Sequence, residues 1–143
     1  MEIKLKKLDE RAIVPTRGSA MSAGVDLYAL DAVTVGAGET VLVHTGIALA
    51  IPEGYAGLIY ARSGLATKRG LAPANKVGVV DADYRGEVMV ALHNHSEQPQ
   101  AVQPKERIAQ LVVTPFLKAE FFESDELSET VRGAGGFGST GTK

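Results

Sequence analysis

Glycine or proline interrupts this sequence about every ten residues, and between the interruptions lie short runs rich in Val, Ile and Leu: VTV, TVLVHTGIALAI, GLIY, KVGVV, EVMVALHN and RIAQLVVTP. Punctuation at that spacing leaves no room for long helices. It predicts an all-β sandwich or barrel of many short strands. Only SGLATKRG, residues 63–70, reads as a short helical turn, with Ser63 placed to cap it and Gly70 to end it. The closing RGAGGFGSTGTK has too few side chains to pack, so it is expected to be mobile. There is no internal repeat and no long linker. The expected organisation is one β domain over residues 1–131 with a flexible flap of the same domain at 132–143.

With 143 residues, 45% of them hydrophobic, the chain is long enough for one compact domain with a real core. A net charge of -2 gives no footprint for duplex nucleic acid, so no nucleic-acid partner is expected. The absence of cysteine removes disulfide frameworks, thiolate zinc sites and thiol nucleophiles together. No apolar run follows the N-terminal lysines and none reaches about 18 residues, so the expectation is a soluble cytoplasmic protein without a membrane partner.

One stretch breaks the pattern. In GVVDADYRGE, residues 78–87, an apolar strand runs straight into Asp81, Asp83 and Tyr84. Other polar groups stand at comparable places: Asp26 in AGVDLYA, Arg62, Ser63 and Gly64 in ARSGLA, Asn75, and Gln110 in ERIAQLVV. Singly, each has a plain structural reading, such as a turn, a surface ion pair or a sheet-edge hydrogen bond. Together they supply carboxylates for water and metal, an Arg and turn amides for phosphate oxygens, and a glycine flap.

Competing motifs fail on context. Gly133, Gly135 and Gly138 spell G-x-G-x-x-G, but the dinucleotide fingerprint needs a strand before it and a helix after it. No P-loop pattern occurs. His93 and His95 share a strand face without a third ligand nearby, which favours a solvated face over a metal site. Ser63 has no His and Asp partners for nucleophilic catalysis. The acidic run from Glu120 to Glu129 reads as a solvated surface.

Taken in chain order from about Pro15 to Gly141, five clusters, namely Asp26, Arg62 to Gly64, Asn75 with Asp81 and Tyr84, Gln110, and the Gly-rich tail, resemble the five motifs of the trimeric dUTP nucleotidohydrolases, the dUTPases. The resemblance implies a jelly-roll-type β-barrel, a homotrimer whose active sites are each built from three subunits, and Mg²⁺-assisted hydrolysis of dUTP to dUMP and pyrophosphate. That reaction limits uracil in DNA and supplies dUMP for dTMP synthesis. By position in the motifs, Asp81 is similar to the carboxylate that activates the attacking water. Tyr84 resembles the aromatic under the deoxyribose, and Asn75 the amide that meets the uracil edge. Val80, beside Asp81, is taken as a further substrate contact. Asp26 matches the Asp that holds the metal indirectly, through water. Arg62, Ser63 and Gly64 resemble the triphosphate grip offered by a neighbouring subunit. Gln110 resembles the side chain near the α-phosphate and the catalytic water. Arg132, Phe137 and Gly138 resemble tail residues that reach the γ-phosphate and stack on uracil.

The chemistry agrees with those implied roles. Attack of water at the α-phosphorus adds charge where charge is already crowded, so cations must offset it while the nucleophile is held in line. Mg²⁺ keeps its waters and prefers phosphate oxygens, so one Asp suffices in place of a protein cage. Asp83 either tunes Asp81 or shapes the turn. A pocket of fixed backbone donors and acceptors rejects cytosine by leaving polar atoms unpaired, and thymine is excluded by volume.

Two departures stand out against the family pattern. Ala61 occupies a position where Pro is common, which leaves the backbone before Arg62 less constrained. Lys105 replaces a common Gly, which suggests a type I turn. Two other readings stand beside the hydrolase: a dCTP deaminase or bifunctional deaminase and diphosphatase of the same fold, which needs a carboxylate beside the base and a different second motif, and a non-catalytic trimeric binder, which has no need of the whole catalytic set.

Overall fold

The structure, a computed structural model, describes residues 1–136. Among them the elements run β1 (Lys4–Lys7), β2 (Val25–Tyr28), β3 (Val33–Val35), β4 (Thr40–Ala50), β5 (Tyr55–Tyr60), α1 (Ser63–Arg69), β6 (Leu71–Pro73), β7 (Gly78–Val80), β8 (Glu87–Asn94), β9 (Gln100–Val102) and β10 (Arg107–Pro115). Each apolar run singled out in the sequence lies on a strand. The Gly-rich stretch contributes none among the described residues.

Two four-stranded sheets, ordered β1-β4-β8-β6 and β2-β10-β5-β7, and a β3-β9 ribbon are antiparallel throughout. The expected jelly roll therefore appears as two sheets around one core. Among the described residues, hydrogen bonds do not close them into a continuous barrel. Strand β8 shows why the sheets pack: Val88, Val90 and Leu92 alternate inward while Met89, Ala91 and His93 turn outward. Leu27 and Ile108 of one sheet join Ile47, Leu71 and Leu92 of the other in a single apolar cluster. Each such side chain contributes about 1.5–3 kcal/mol by leaving water.

The inward row of β8 ends on a polar residue, Asn94, which is wholly buried. Its amide donates to the carbonyls of Val35 at 3.0 Å and Gln98 at 2.8 Å, and its oxygen accepts from Ser96. A fully paired amide at the end of an apolar row ties β8 to β3 and to the loop before β9, at little desolvation cost.

Two irregularities aim the polar residues. The β4-β8 register shifts between His44 and Ala48, around Gly46 at φ 70°. The β10-β2 register shifts between Arg107 and Ala109, so that Ile108 and Ala109 are both buried and Gln110 falls directly opposite Asp26. Helix α1 ends as expected, on Gly70 in the left-handed region with its N–H bonded to the Ala66 carbonyl.

Two local expectations are overturned. Ser63 does not cap α1: it is the first helical residue, and the extended residue before it, Arg62, occupies the cap position without a side-chain cap bond. An N-cap must have non-helical backbone, and the guanidinium of Arg62 is committed elsewhere. Lys105 does not form a type I turn. It sits at φ 66° after Pro104, and Glu106 N–H bonds the Gln103 carbonyl, which is type II geometry. The surroundings dictate this, because Lys105 N–H is bound to the Ala29 carbonyl and the Glu106 carboxylate accepts from Gln103 N–H.

Beyond β10 the chain carries no strand or helix through residue 136. Phe121, Phe122 and Leu127 stand there almost fully exposed.

Candidate active site

Strand pairing gathers the first half of the site. Gln110 on β10 lies opposite Asp26 on β2 and opposite Tyr60 on β5, so the turn that follows Tyr60 is carried to the same place. There Arg62 Nε donates to Asp26 Oδ1 at 2.8 Å, and Arg107 Nη1 stands 3.4 Å from Oδ2. Asp26 is nearly buried between the two cations. Gln110 Nε2 donates to the Ala61 carbonyl at 2.9 Å and so fixes the backbone immediately before Arg62. That bond supplies the restraint for which proline is absent at Ala61.

These residues, with Ser63 and Gly64, line a cleft of about 240 Å³. Space is open beside Gly64, where an added Cβ would meet nothing within 4 Å. Gly24 is the opposite case, because a Cβ there would stand 2.6 Å from Gln110 Oε1. Glycine at that position lets β2 approach the Gln110 amide. With one carboxylate, two guanidiniums and first-turn N–H groups that lack helical partners, the cleft suits a polyanion.

The second half lies on the hairpin between β7 and β8. Asn75, Val80, Asp81 and Tyr84 line another cavity of about 240 Å³, which shares no lining residue with the first. Tyr84 N–H bonds the Asp81 carbonyl at 3.2 Å, which places Asp83 at the third position of a tight turn. Tyr84 Oη donates to the Glu87 carbonyl at 2.9 Å. A Cβ on Gly86 would stand 2.4 Å from that hydroxyl, so the Arg85-Gly86 pair lets the ring fold back over the hairpin. Asn75 sits in a turn with Lys76 at φ 63°, and its amide packs close to Gly78, where a side chain would crowd it.

Glu87 closes the floor of this cavity. Its Oε1 accepts from Gly46 N–H at 2.7 Å, and its Oε2 lies 2.8 Å from His44 Nδ1. Burial pushes its carboxyl up, but the bonds from His44 and Gly46 outweigh that and hold it below the usual glutamate range.

The structure thus brings Asp26, Arg62, Ser63, Gly64 and Gln110 together, and Asn75, Val80, Asp81 and Tyr84 together, in separate cavities. Arg132 is exposed, with Nε bonded to the Gly135 carbonyl. Phe137 and Gly138 lie outside the described residues. His93 and His95 stack edge to face with centroids 4.4 Å apart, and His93 Nδ1 lies 2.9 Å from Thr40 Oγ1. Among the described residues no three His, Asp or Glu side chains are grouped to hold a metal. Sequence reasoning did not find Arg107 as the second partner of Asp26. Three positions separate Arg107 from Gln110, which sets them on opposite faces of a regular strand, and only the bulge between them brings both toward Asp26.

Residues 10–141 match the sequence model of the dUTPase family. A deoxyuridine 5'-triphosphate nucleotidohydrolase from Nautilia profundicola is 47% identical over 141 residues, covering 99% of both chains. One from Oryza sativa subsp. japonica is 48% identical over 139 residues, covering 97% of this chain and 80% of the relative. Among solved structures, the G164S mutant of the Staphylococcus bacteriophage 80alpha dUTPase with dUpNHpp superposes with a TM-score of 0.92 at 28% identity, covering 98% of each chain.

Proposed function

The chain belongs to the dUTPase family, and from that premise we propose how its residues divide the hydrolysis of dUTP to dUMP and pyrophosphate. The enzyme is a dUTP diphosphatase. The observation that carries the residue assignment is the cleft in which Asp26, Arg62 and Gln110 meet.

In this reading the triphosphate lies in that cleft. Arg62 offers its remaining N–H groups to phosphate oxygens, Ser63 and Gly64 present backbone amides, and Arg107 adds positive charge. Gln110 orients the α-phosphate and the attacking water, with its amide steadied on Ala61. Asp81 takes the proton of that water, a contribution of about 10² to 10⁴ in rate. Val80 and Asn75 meet the base, and the Tyr84 ring lies under the deoxyribose where a 2'-hydroxyl would collide.

Mg²⁺ fits the donor set in one way only. A single near-buried carboxylate whose two oxygens already accept from Arg62 and Arg107 suits an ion held by phosphate oxygens and water, with Asp26 on its water shell. When bound, the ion supplies charge neutralisation along the phosphates.

The split of the site supports assembly as a homotrimer, with the phosphate grip of one subunit facing the Asp81 hairpin of another. Phe121, Phe122 and Leu127, left uncovered in the single chain, are what an intersubunit contact would bury. The tail from Arg132, with Phe137 and Gly138, is assigned to the γ-phosphate and the uracil face. No described helix is long and apolar enough to cross a membrane, and a cytoplasmic enzyme accords with its nucleotide substrate.

The assignment is tested with the purified protein, Mg²⁺, and each deoxynucleoside triphosphate and UTP, scoring pyrophosphate and free ammonia. Pyrophosphate from dUTP, with little from the others and no ammonia from dCTP, is expected. Ammonia from dCTP would establish the deaminase reading. Binding of dUTP without turnover would establish a non-catalytic binder.

A further inference from the structure

The ring of Tyr84 owes its pose to the backbone of Glu87, because that carbonyl receives the Tyr84 hydroxyl. The carbonyl is only as fixed as the start of β8. Regular pairing holds it on one side only, since Glu87 is partnered with Ala48 at the end of the ladder and the β4-β8 register slips between that pair and the His44–Met89 pair.

The Glu87 side chain bridges that interruption. One carboxylate oxygen takes Gly46 N–H at 2.7 Å and the other takes His44 at 2.8 Å, with the Thr45 hydroxyl bonded to the Val88 carbonyl between them. The bulge it grips is itself tightly held. Gly46 sits at φ 70°, and a Cβ there would stand 2.9 Å from Ala12 Cβ. The carboxylate therefore clamps β8 to a rigid point two residues past His44, and the clamp passes through the Glu87 backbone to the ring that reads the sugar.

We propose that Glu87, held by His44 and Gly46, is a positioning residue for discrimination between deoxyribo- and ribonucleotides, acting through Tyr84. This rests on the reading of Tyr84 as the contact under the deoxyribose. Without the bridge the ring gains freedom to move aside, and a 2'-hydroxyl is no longer excluded.

The test is the ratio of kcat/KM for dUTP to that for UTP in the full-length protein and in Tyr84→Ala, Glu87→Ala and Glu87→Gln. Gln keeps the acceptor for Gly46 and can donate to His44, so its ratio should stay near that of the parent. In Glu87→Ala the ratio should fall by about tenfold, mostly through a lower KM for UTP, while kcat for dUTP changes little. If Tyr84→Ala narrows the ratio and Glu87→Ala does not, or if Gln loses selectivity as fully as Ala, the inference is overturned. If Tyr84→Ala itself leaves the ratio unchanged, the reading of Tyr84 fails instead. Should Glu87→Ala not fold, Glu87→Asp, one methylene short of spanning both partners, takes its place with the same outcomes.

Discussion

Asp26 and Arg62, 36 positions apart in sequence, meet at 2.8 Å, and the carboxylate that holds the guanidinium is itself nearly buried. Arg107 completes the group at 3.4 Å on the other oxygen. Before any substrate arrives, the protein thus fixes the arginine assigned to the phosphates with the residue assigned to the metal's water shell. Asp26→Asn leaves two guanidiniums facing a neutral amide. It should cost about 1–3 kcal/mol in denaturant unfolding, less than for a fully buried pair because Arg62 is part-exposed, and should lower kcat/KM for dUTP by about 10². Unchanged stability would show that the pair holds nothing in place.

Gly24 has no room for even one methyl group beside Gln110. Gly24→Ala should displace the Gln110 amide from the Ala61 carbonyl. We expect a folded protein whose kcat falls by about tenfold or more while its KM for dUTP changes less. Full activity together with an unmoved Gln110 in a crystal structure would contradict the role given to that approach.

Lys105 occupies a left-handed conformation that a side chain adopts only at a cost. Lys105→Gly relieves it, although glycine gives back part of the gain through a freer unfolded chain. A net stabilisation of about 0.5–1 kcal/mol is expected, with unchanged kinetics. Equilibrium unfolding of both proteins at one concentration measures it, and a loss of stability would mean that the lysine side chain makes an offsetting contact.

The Glu87 carboxyl is pushed up by burial yet held below its ordinary 4.5 by His44 and the Gly46 amide. A depressed acid stabilises the fold fully above its unfolded value, and that contribution drains away as pH falls through the folded one. The unfolding free energy of the parent minus that of Glu87→Gln should therefore shrink as pH falls from about 5 to about 3. A difference that stays constant over that range would place no ionised carboxylate in the bridge.

Much of this was legible in the sequence because it is local. Alternation fixed β8, continuous apolar runs fixed β4 and β10, and Gly70 ended α1 where a left-handed residue was needed. The polar clusters were found because carboxylates at the end of an apolar strand have no place in a core. What was not legible depends on partners far away. Strands β1, β6 and β9 have three or four residues each and exist through pairing, not propensity. Arg107 reaches Asp26 only because of a bulge, and Lys105 turns left-handed because the Ala29 carbonyl holds its own N–H while the Glu106 carboxylate holds that of Gln103. Ser63 had the right chemistry for a cap one residue too late.

The phosphate grip proposed around Arg62 and the Asp81 hairpin lie in separate cavities of one chain, and in the proposed enzyme they form a single active site across subunits. Chains carrying Asp81→Asn and chains carrying Arg62→Ala should each be nearly inactive toward dUTP. After subunit exchange their mixture should hydrolyse dUTP well above either parent, since some mixed trimers pair an intact hairpin with an intact grip. If native mass spectrometry shows mixed trimers and the mixture remains as inactive as its parents, each site belongs to one chain and the account is wrong.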